Sequence, residues 1–230
     1  GAALDKYGRC GDLRGQAHAL SMLGFLNEER GNLEVALRQH LAAVPMLREV
    51  DHAQGLAHAL NNLGSVQHRL GLADQALAAH LEAHELARDL GDDCLAAYAL
   101  NYTGNVLRAQ GKLAEAVRYQ ERAKAVAAGV SDPDLHTRLY LDRAATSQAG
   151  GDRSEALRSY RAALDLATGT GNRGHGAHAH HGVARTLHAM GRHTDAAEHW
   201  RAAAAGFAAL GQPEADEVQA EHASLTCACR

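Results

Sequence analysis

Residues 51–90 read DHAQGLAHALNNLGSVQHRLGLADQALAAHLEAHELARDL, and residues 91–130 repeat the pattern as GDDCLAAYALNYTGNVLRAQGKLAEAVRYQERAKAVAAGV. Set one above the other, Gly64 falls on Gly104, Gly71 on Gly111, Ala76 on Ala116 and Ala83 on Ala123, a period of 40 residues. Inside the first block Ala57, Leu60, Leu63, Gly64 and Leu70 recur at helical intervals. After Gly71 the set Ala73, Ala76, Leu77, His80, Leu81 and Ala83 does so again. Each period is therefore two helices, each with an inward apolar stripe. A fixed period of this length means stacked units that bury a continuous core by nearest-neighbour contact, so function belongs to a shared surface rather than to a catalytic pocket.

The register extends outward from these two blocks. Ala36, Ala76, Ala116, Ala156 and Ala196 form one column, and Ala43, Ala83, Ala123, Ala163 and Ala203 another. The first glycine begins at Gly24 and gives way to Ala144 and Ala184, while the second runs through Gly31, Gly151 and Gly191. Gly11, Asp51, Gly91, Ser131, Gly171 and Gly211 make a further column, mostly followed by Asp12, Asp92, Asp132 or Asn172, residues that suit a turn or helix start. Five units follow, near residues 11–50, 51–90, 91–130, 131–170 and 171–210. Residues 1–10, with Leu4 and Tyr7, read as the end of a preceding unit, as if the array had been cut from a longer chain. Residues 211–230, with Pro213 followed by Glu214, Ala215, Val218, Ala220 and Leu225, read as a polar capping helix and tail with proline in the first turn. A glycine within a helix costs about 1 kcal/mol against alanine, so its recurrence at Gly24, Gly64 and Gly104 predicts a close helix crossing. Gly71 and its equivalents are expected to close the first helix in a left-handed conformation. Pro45, inside a predicted helix, is expected to bend it.

Composition agrees with an all-α chain read as one domain over residues 1–230. Prolines number three and aromatics are 4%, while alanine and leucine, good helix formers, are frequent. A net charge of −4 with both signs interspersed speaks against a nucleic-acid footprint or a membrane-seeking surface. No apolar run approaches the roughly 20 residues of a membrane span, and no signal-peptide pattern opens the chain, which makes a cytoplasmic protein the default expectation. Cys10, Cys94, Cys227 and Cys229 stand at unrelated places in the repeat, so neither a disulfide framework nor a zinc site is expected. Gly104 to Gly111-Lys112 faintly suggests a phosphate loop, but Leu113 stands where a hydroxyl is needed and the repeat's phase explains the glycines. His175, His178, His180, His181 and His188 invite a metal reading, yet His18 and His58 share the column of His178. Register accounts for them without a metal. No nucleophile elbow or metalloprotease pattern is present, and the expectation is of no catalytic residue, no metal and no cofactor.

These columns resemble the tetratricopeptide repeat over nearly the whole chain. Leu63-Gly64, Ala76, His80 and Ala83 stand where that family carries its Leu-Gly, Ala, aromatic and Ala signature, and Tyr160 and Trp200 supply the aromatic in the last two units. The departure is length, since the usual unit has about 34 residues. The resemblance implies a right-handed α-solenoid of about five helix pairs plus a C-terminal capping helix. A heavy excess of arginine over lysine, with much alanine and glycine, suggests a bacterial chain of high GC content. The whole is similar to the C-terminal tetratricopeptide arrays of large actinobacterial transcriptional regulators, which join a DNA-binding head and a nucleotide-dependent switch to such repeats.

In such arrays the first helix of each pair lines the concave groove, which directs attention to its non-core positions. They read His18, Ser21, Phe25 and Glu28, then His58, Asn61, Ser65 and His68, then Tyr98, Asn101, Asn105 and Arg108. The fourth unit gives Arg138, Leu141, Ala145 and Gln148, and the fifth His178, His181, Arg185 and His188. A carboxamide matches a peptide group as both donor and acceptor, so Asn61, Asn101 and Asn105 are expected to form a ladder that holds an extended peptide. Arg108, Arg138 and Arg185 are expected to meet acidic groups of the partner. The resulting expectation is a groove that binds a peptide, a protein or a neighbouring domain of the same protein, in a regulatory role, without direct nucleic-acid or membrane contact. The alternatives are a small-molecule effector sensor, or an oligomerisation scaffold that self-associates through its N-terminal edge.

Overall fold

In the computed structural model Tyr7 and residues 11–228 are described, with side chains as far as Ala223. The expected end of a preceding unit in residues 1–10, together with Cys10, Leu225, Cys227 and Cys229, lies outside the described residues or side chains. Eleven α-helices and no strand are present among the described residues, as the all-α reading requires. They fall into two compact units that divide between Val130 and Ser131.

The first unit holds three helix pairs: α1 (Leu13–Glu29) with α2 (Leu33–Glu49), α3 (Ala53–Arg69) with α4 (Ala73–Leu90), and α5 (Asp93–Ala109) with α6 (Leu113–Val126). After α6 a 3-10 turn, Ala127–Gly129, leads to extended Val130. The second unit holds α7 (Pro133–Ala149) with α8 (Arg153–Thr170), then α9 (Arg173–Ala189) with α10 (His193–Ala209), and α11 (Glu214–Ala228) packed on α10. Two periods of punctuation set these boundaries. The side chains of Asp12, Asp92, Asp132 and Asn172 each accept a hydrogen bond from the backbone N–H three residues on, at 2.9, 2.9, 3.3 and 3.0 Å. The first four amides of a helix have no partner within it, and this oxygen satisfies one of them. In α3 the cap is His52, whose Nδ1 accepts from Gly55 N–H at 2.9 Å, which leaves the ring proton on Nε2. At the other end Gly71 turns left-handed, φ 77°, and Leu72 N–H donates to the Gln67 carbonyl at 2.8 Å. Helix α2 continues on both sides of Pro45, which is exposed.

The glycine column does what its recurrence predicts. A β-carbon placed on Gly24 would stand 2.6 Å from the His40 ring, one on Gly64 2.7 Å from His80, and one on Gly104 2.9 Å from Gln120 Cγ. In each pair, bare backbone on the first helix seats one side chain sixteen residues on, from the second helix. His40 and His80 are fully buried and Gln120 nearly so. Tyr102 from the following pair closes over His80 with ring centroids 5.5 Å apart. In the second unit Ala144 and Ala184 replace the glycines while Tyr160 and Trp200 replace the small polar occupants, and all four join one apolar cluster with Val183, Leu187 and Phe207. The bare backbone that the Tyr160 ring meets there is Gly182.

Alanine at position 64 gains about 1 kcal/mol of helix propensity, but the ring it would strike is enclosed and cannot swing away. Overpacking of this kind costs about 1–3 kcal/mol. Gly64→Ala is therefore expected to destabilise the chain in urea despite its better propensity, and His80→Ala in the same chain is expected to remove most of that cost.

Burial of two imidazoles also ties stability to pH. Desolvation holds His40 down to about 4, and burial with a smaller contribution from the nearby His68 charge holds His80 down to about 3, against an ordinary value of 6.5. The unfolded chain takes up protons on both rings below pH 6.5 whereas the folded chain does not, so this stability is present above that value and is lost as pH falls toward the folded values. Between pH 7 and pH 5 the pair is expected to weaken folding by on the order of 3 kcal/mol. His40→Gln with His80→Gln, which copies the occupant at Gln120, is expected to flatten the dependence of urea midpoint on pH across that range.

Candidate functional site

The first helices of the pairs carry the expected groove residues, and packing divides them into buried and accessible sets. Asn61 and Asn101 were expected at non-core positions, but both are buried, Asn61 at 7% and Asn101 at 0% exposure. The reason is geometric: the first helix of a pair is covered by its own partner and by the units before and after it, so few of its positions stay free. Asn61 spends its Oδ1 on His80, with His80 Nδ1 at 3.0 Å, and the ring donates that bond because an amide oxygen only accepts. Tyr98, Asn105 and Arg108 are half-buried on α5, with Tyr98 against Tyr102 at a centroid distance of 6.0 Å. Ser65 turns its hydroxyl back to the Asn61 carbonyl at 3.3 Å. The accessible part of the proposed amide ladder is thus confined to Asn105, whose Oδ1 is shielded without a hydrogen-bond partner among the described residues.

Two clefts remain. In the first unit a cleft of about 670 Å³ opens between α1 and α3. Its walls are Met22 and Phe25, 48% and 44% exposed, with Ser21 and His18 from α1, and His58, Ala59 and Asn62 from α3. Arg14 and His52 stand at its edge, and no carboxylate lines it among the described residues. His18, Ser21, Phe25 and His58 were legible as groove residues in the sequence. Arg14, Met22, His52 and Asn62 were not, although the outward position of an unpaired Met22 beside Phe25 is a signal that apolar counting could have found.

In the second unit a cleft of about 210 Å³ lies between α7 and α9 and brings together Arg138, His178, His181 and Arg185, all named from sequence, with Leu141, Asp142 and Gln148. Here the expectation of a cationic, amide-bearing surface matches where those side chains stand. Burial, and then the Arg138 guanidinium, lower the His178 and His175 rings from the usual histidine range. The sequence missed Glu221 of α11, which forms an ion pair with Arg185 Nε at 3.0 Å and lies 2.6 Å from His181 Nε2. It stands one period after His181, and that spacing was the available signal. Two further histidines of α9 pair with histidines of α10: His180 Nδ1 is 2.8 Å from His199 Nδ1, and His188 Nδ1 is 3.0 Å from His193 Nδ1, one ring of each pair donating and the other accepting. His178 meets Phe207 edge-on at 4.9 Å. Among the described residues no group of three or more His, Cys, Asp or Glu side chains is arranged to hold a metal ion, and no helix is long and apolar enough to cross a membrane.

Residues 55–129 match the family model of the tetratricopeptide repeat. No curated protein matches the chain in sequence. Among solved structures the chain is similar to BtubC (BKLC) from P. vanneervenii, at 15% identity and a TM-score of 0.73 over 91% of this chain and 89% of that one. It is also similar to a Rap protein complexed with competence and sporulation factor, at 13% identity and a TM-score of 0.78 over 84% of this chain and 54% of that one. A third is the Rap conjugation gene regulator of the plasmid pLS20 in complex with the Phr* peptide, at 17% identity and a TM-score of 0.75 over 94% of this chain and 59% of that one. The chain spans between half and three-fifths of the two Rap structures' length. At these identities the likeness is one of fold, a tetratricopeptide-like solenoid.

A buried Asn61 makes a different prediction from a solvated one. Asn61→Ala strands the His80 Nδ1 proton in an enclosed site, which costs about 1–3 kcal/mol. Thermal or urea unfolding is expected to report that loss, and an unchanged midpoint would place Asn61 outside the folding core.

Proposed function

We propose that this chain is a protein-interaction module that binds an extended peptide segment of a protein partner, or of a neighbouring domain, in the cleft between α1 and α3. The observation that carries this reading is the pair of half-exposed apolar side chains Met22 and Phe25 on one wall of a cleft of about 670 Å³, framed by Arg14, His18, His52 and His58 without a facing carboxylate. Apolar side chains left in water at the floor of a concavity are the usual anchor of a binding surface, and the polar frame orients what enters. An apolar peptide side chain would seat against Phe25, and its flanking carboxylates or carbonyls would meet the basic rim. The match of residues 55–129 to the tetratricopeptide repeat supports the interaction role. The printed complexes of Rap proteins with sporulation factor and Phr* peptide support a peptide as the ligand class. The regulatory context, in which the array belongs to a larger bacterial transcriptional regulator, is part of the same proposal; a full gene product with an upstream switch module and DNA-binding head would bear it out.

A second reading, a small-molecule effector sensor, is favoured by the cleft's size, which falls within the roughly 300–1,000 Å³ range of ligand pockets. The two readings separate on one experiment. Random peptides displayed on phage are panned against the chain, and enriched sequences are synthesised and titrated by fluorescence anisotropy. The expected result is enrichment of peptides with an apolar anchor, and a loss of about tenfold or more in affinity, about 1.4 kcal/mol, for Met22→Ser with Phe25→Ser at unchanged helical content. No enrichment, combined with a melting temperature raised by a metabolite in a thermal-shift screen, would replace the peptide by a small effector.

A further inference from the structure

In the second unit, a carboxylate of the chain itself lies against the cations of the cleft between α7 and α9. Glu221 projects from α11, holds Arg185 Nε through Oε1 at 3.0 Å and lies 2.6 Å from His181 Nε2 through Oε2. Arg185 and His181 are two of the cleft's basic side chains. A third, Arg138, is half-buried and makes no hydrogen bond or ion pair among the described residues, while its charge is felt by both His175 and His178. A half-buried guanidinium without a protein anion keeps its five donors available to a carboxylate that enters the cleft. Asp142 lines the same cleft but forms no ion pair with Arg138. Glu221 therefore neutralises one side of the cleft and leaves Arg138, across the gap, unanswered.

The register shows that Glu221 is doing something its column does not do elsewhere. Asn61, Asn101, Leu141, His181 and Glu221 are spaced by one period each. Asn61 bonds forward, to His80 on the second helix of its own pair. Glu221 bonds backward, to the helix of the preceding pair. It is joined in that direction by Glu214, whose charge acts on His178 and whose Oε2 is shielded without a hydrogen-bond partner.

We propose that Glu221 is an internal competitor in a carboxylate-binding cleft: it holds Arg185 and His181 until an acidic peptide side chain enters, bonds Arg138 and exchanges for Glu221 on Arg185. The occupant is an acidic segment of a protein partner, by charge complementarity with the two guanidiniums of Arg138 and Arg185 in a cleft of about 210 Å³, room for one carboxylate side chain. This rests on the interaction reading but uses a different cleft, so Phe25→Ser is expected to leave it untouched and failure of one does not imply failure of the other.

The test uses the full chain and a short, blocked, fluorescein-labelled peptide of alternating glutamate and alanine, with a glutamine-for-glutamate twin, titrated by anisotropy in low-salt buffer. Glu221→Gln is expected to bind the acidic peptide about tenfold more tightly than the unmodified chain, a coupling within the ordinary range for competing ligands. Glu221→Asp, which keeps the charge but shortens the reach, is expected to fall between them and guards against a capping helix that fails to dock. Arg138→Gln added to Glu221→Gln is expected to abolish the gain, and the glutamine peptide is expected to show none. Equal gain from Glu217→Gln, on the exposed face of α11, would reduce the effect to net charge and overturn the proposal. No gain from Glu221→Gln, or a gain that survives loss of Arg138, would overturn it as well.

Discussion

Everything else in this structure depends on the contact between bare backbone on the first helix of a pair and one side chain sixteen residues later on the second. Without a β-carbon at Gly24, Gly64 or Gly104, the two helices approach until a single side chain fills the remaining gap. Within the first unit that side chain also reaches the next pair, as His80 meets Tyr102, and so links neighbouring pairs as well as the helices of one pair. The two ends of the contact vary together. In the first unit glycine is matched with His40, His80 and Gln120, whereas in the second alanine is matched with Tyr160 and Trp200. Close packing tolerates neither a void nor an overlap, which is why the two changes come together.

Seating histidine in that gap makes the core polar in a way that an aromatic would not. His80 satisfies one nitrogen with Asn61, while neither nitrogen of His40 has a partner among the described residues. The neutral ring is tolerated there because it fills volume, and the charged ring is not, because the site offers it neither water nor a carboxylate. The same sequestration explains why so much of the first-helix polar surface is not available to a partner. Amides that the repeat displays in a column are buried inside the array, and the expected groove positions that stay accessible gather in the clefts between α1 and α3 and between α7 and α9.

The helices and their ends were legible because they are written in columns: a cap residue, a glycine that turns left-handed, and small residues where helices cross. Each of those features is local to a few residues and repeats five times, so its phase is overdetermined. The groove was legible only in part. Arg138, His178, His181 and Arg185 converge on one cleft as their column positions suggest, and His18, Phe25 and His58 converge on another. Asn61 and Asn101 were misplaced because a helical wheel divides a helix into an inner and an outer face, whereas a first helix within an array has neighbours on three sides. The opposition of Asn61 to His80 is a contact between helices nineteen residues apart, which no single-helix pattern records. Glu221 was missed for the complementary reason: on an expected capping helix its charge reads as solvent exposure, and only the period that links it to His181 reveals the contact.

The position shared by Asn61, Asn101, Leu141, His181 and Glu221 shows how one repeat position acquires different roles without any change of backbone. Where a second helix offers a ring nitrogen, an amide completes the core. Where the neighbour is a guanidinium and an imidazole on the preceding first helix, a carboxylate reaches back across the cleft instead. A neutral amide bond inside the core is worth keeping closed, because opening it strands a buried proton. A half-exposed ion pair has no such lock, since water and other anions replace its bonds at little cost. The first arrangement therefore belongs to stability and the second to exchange, and the chain has placed the exchangeable one at the mouth of a cleft that still holds an unanswered arginine.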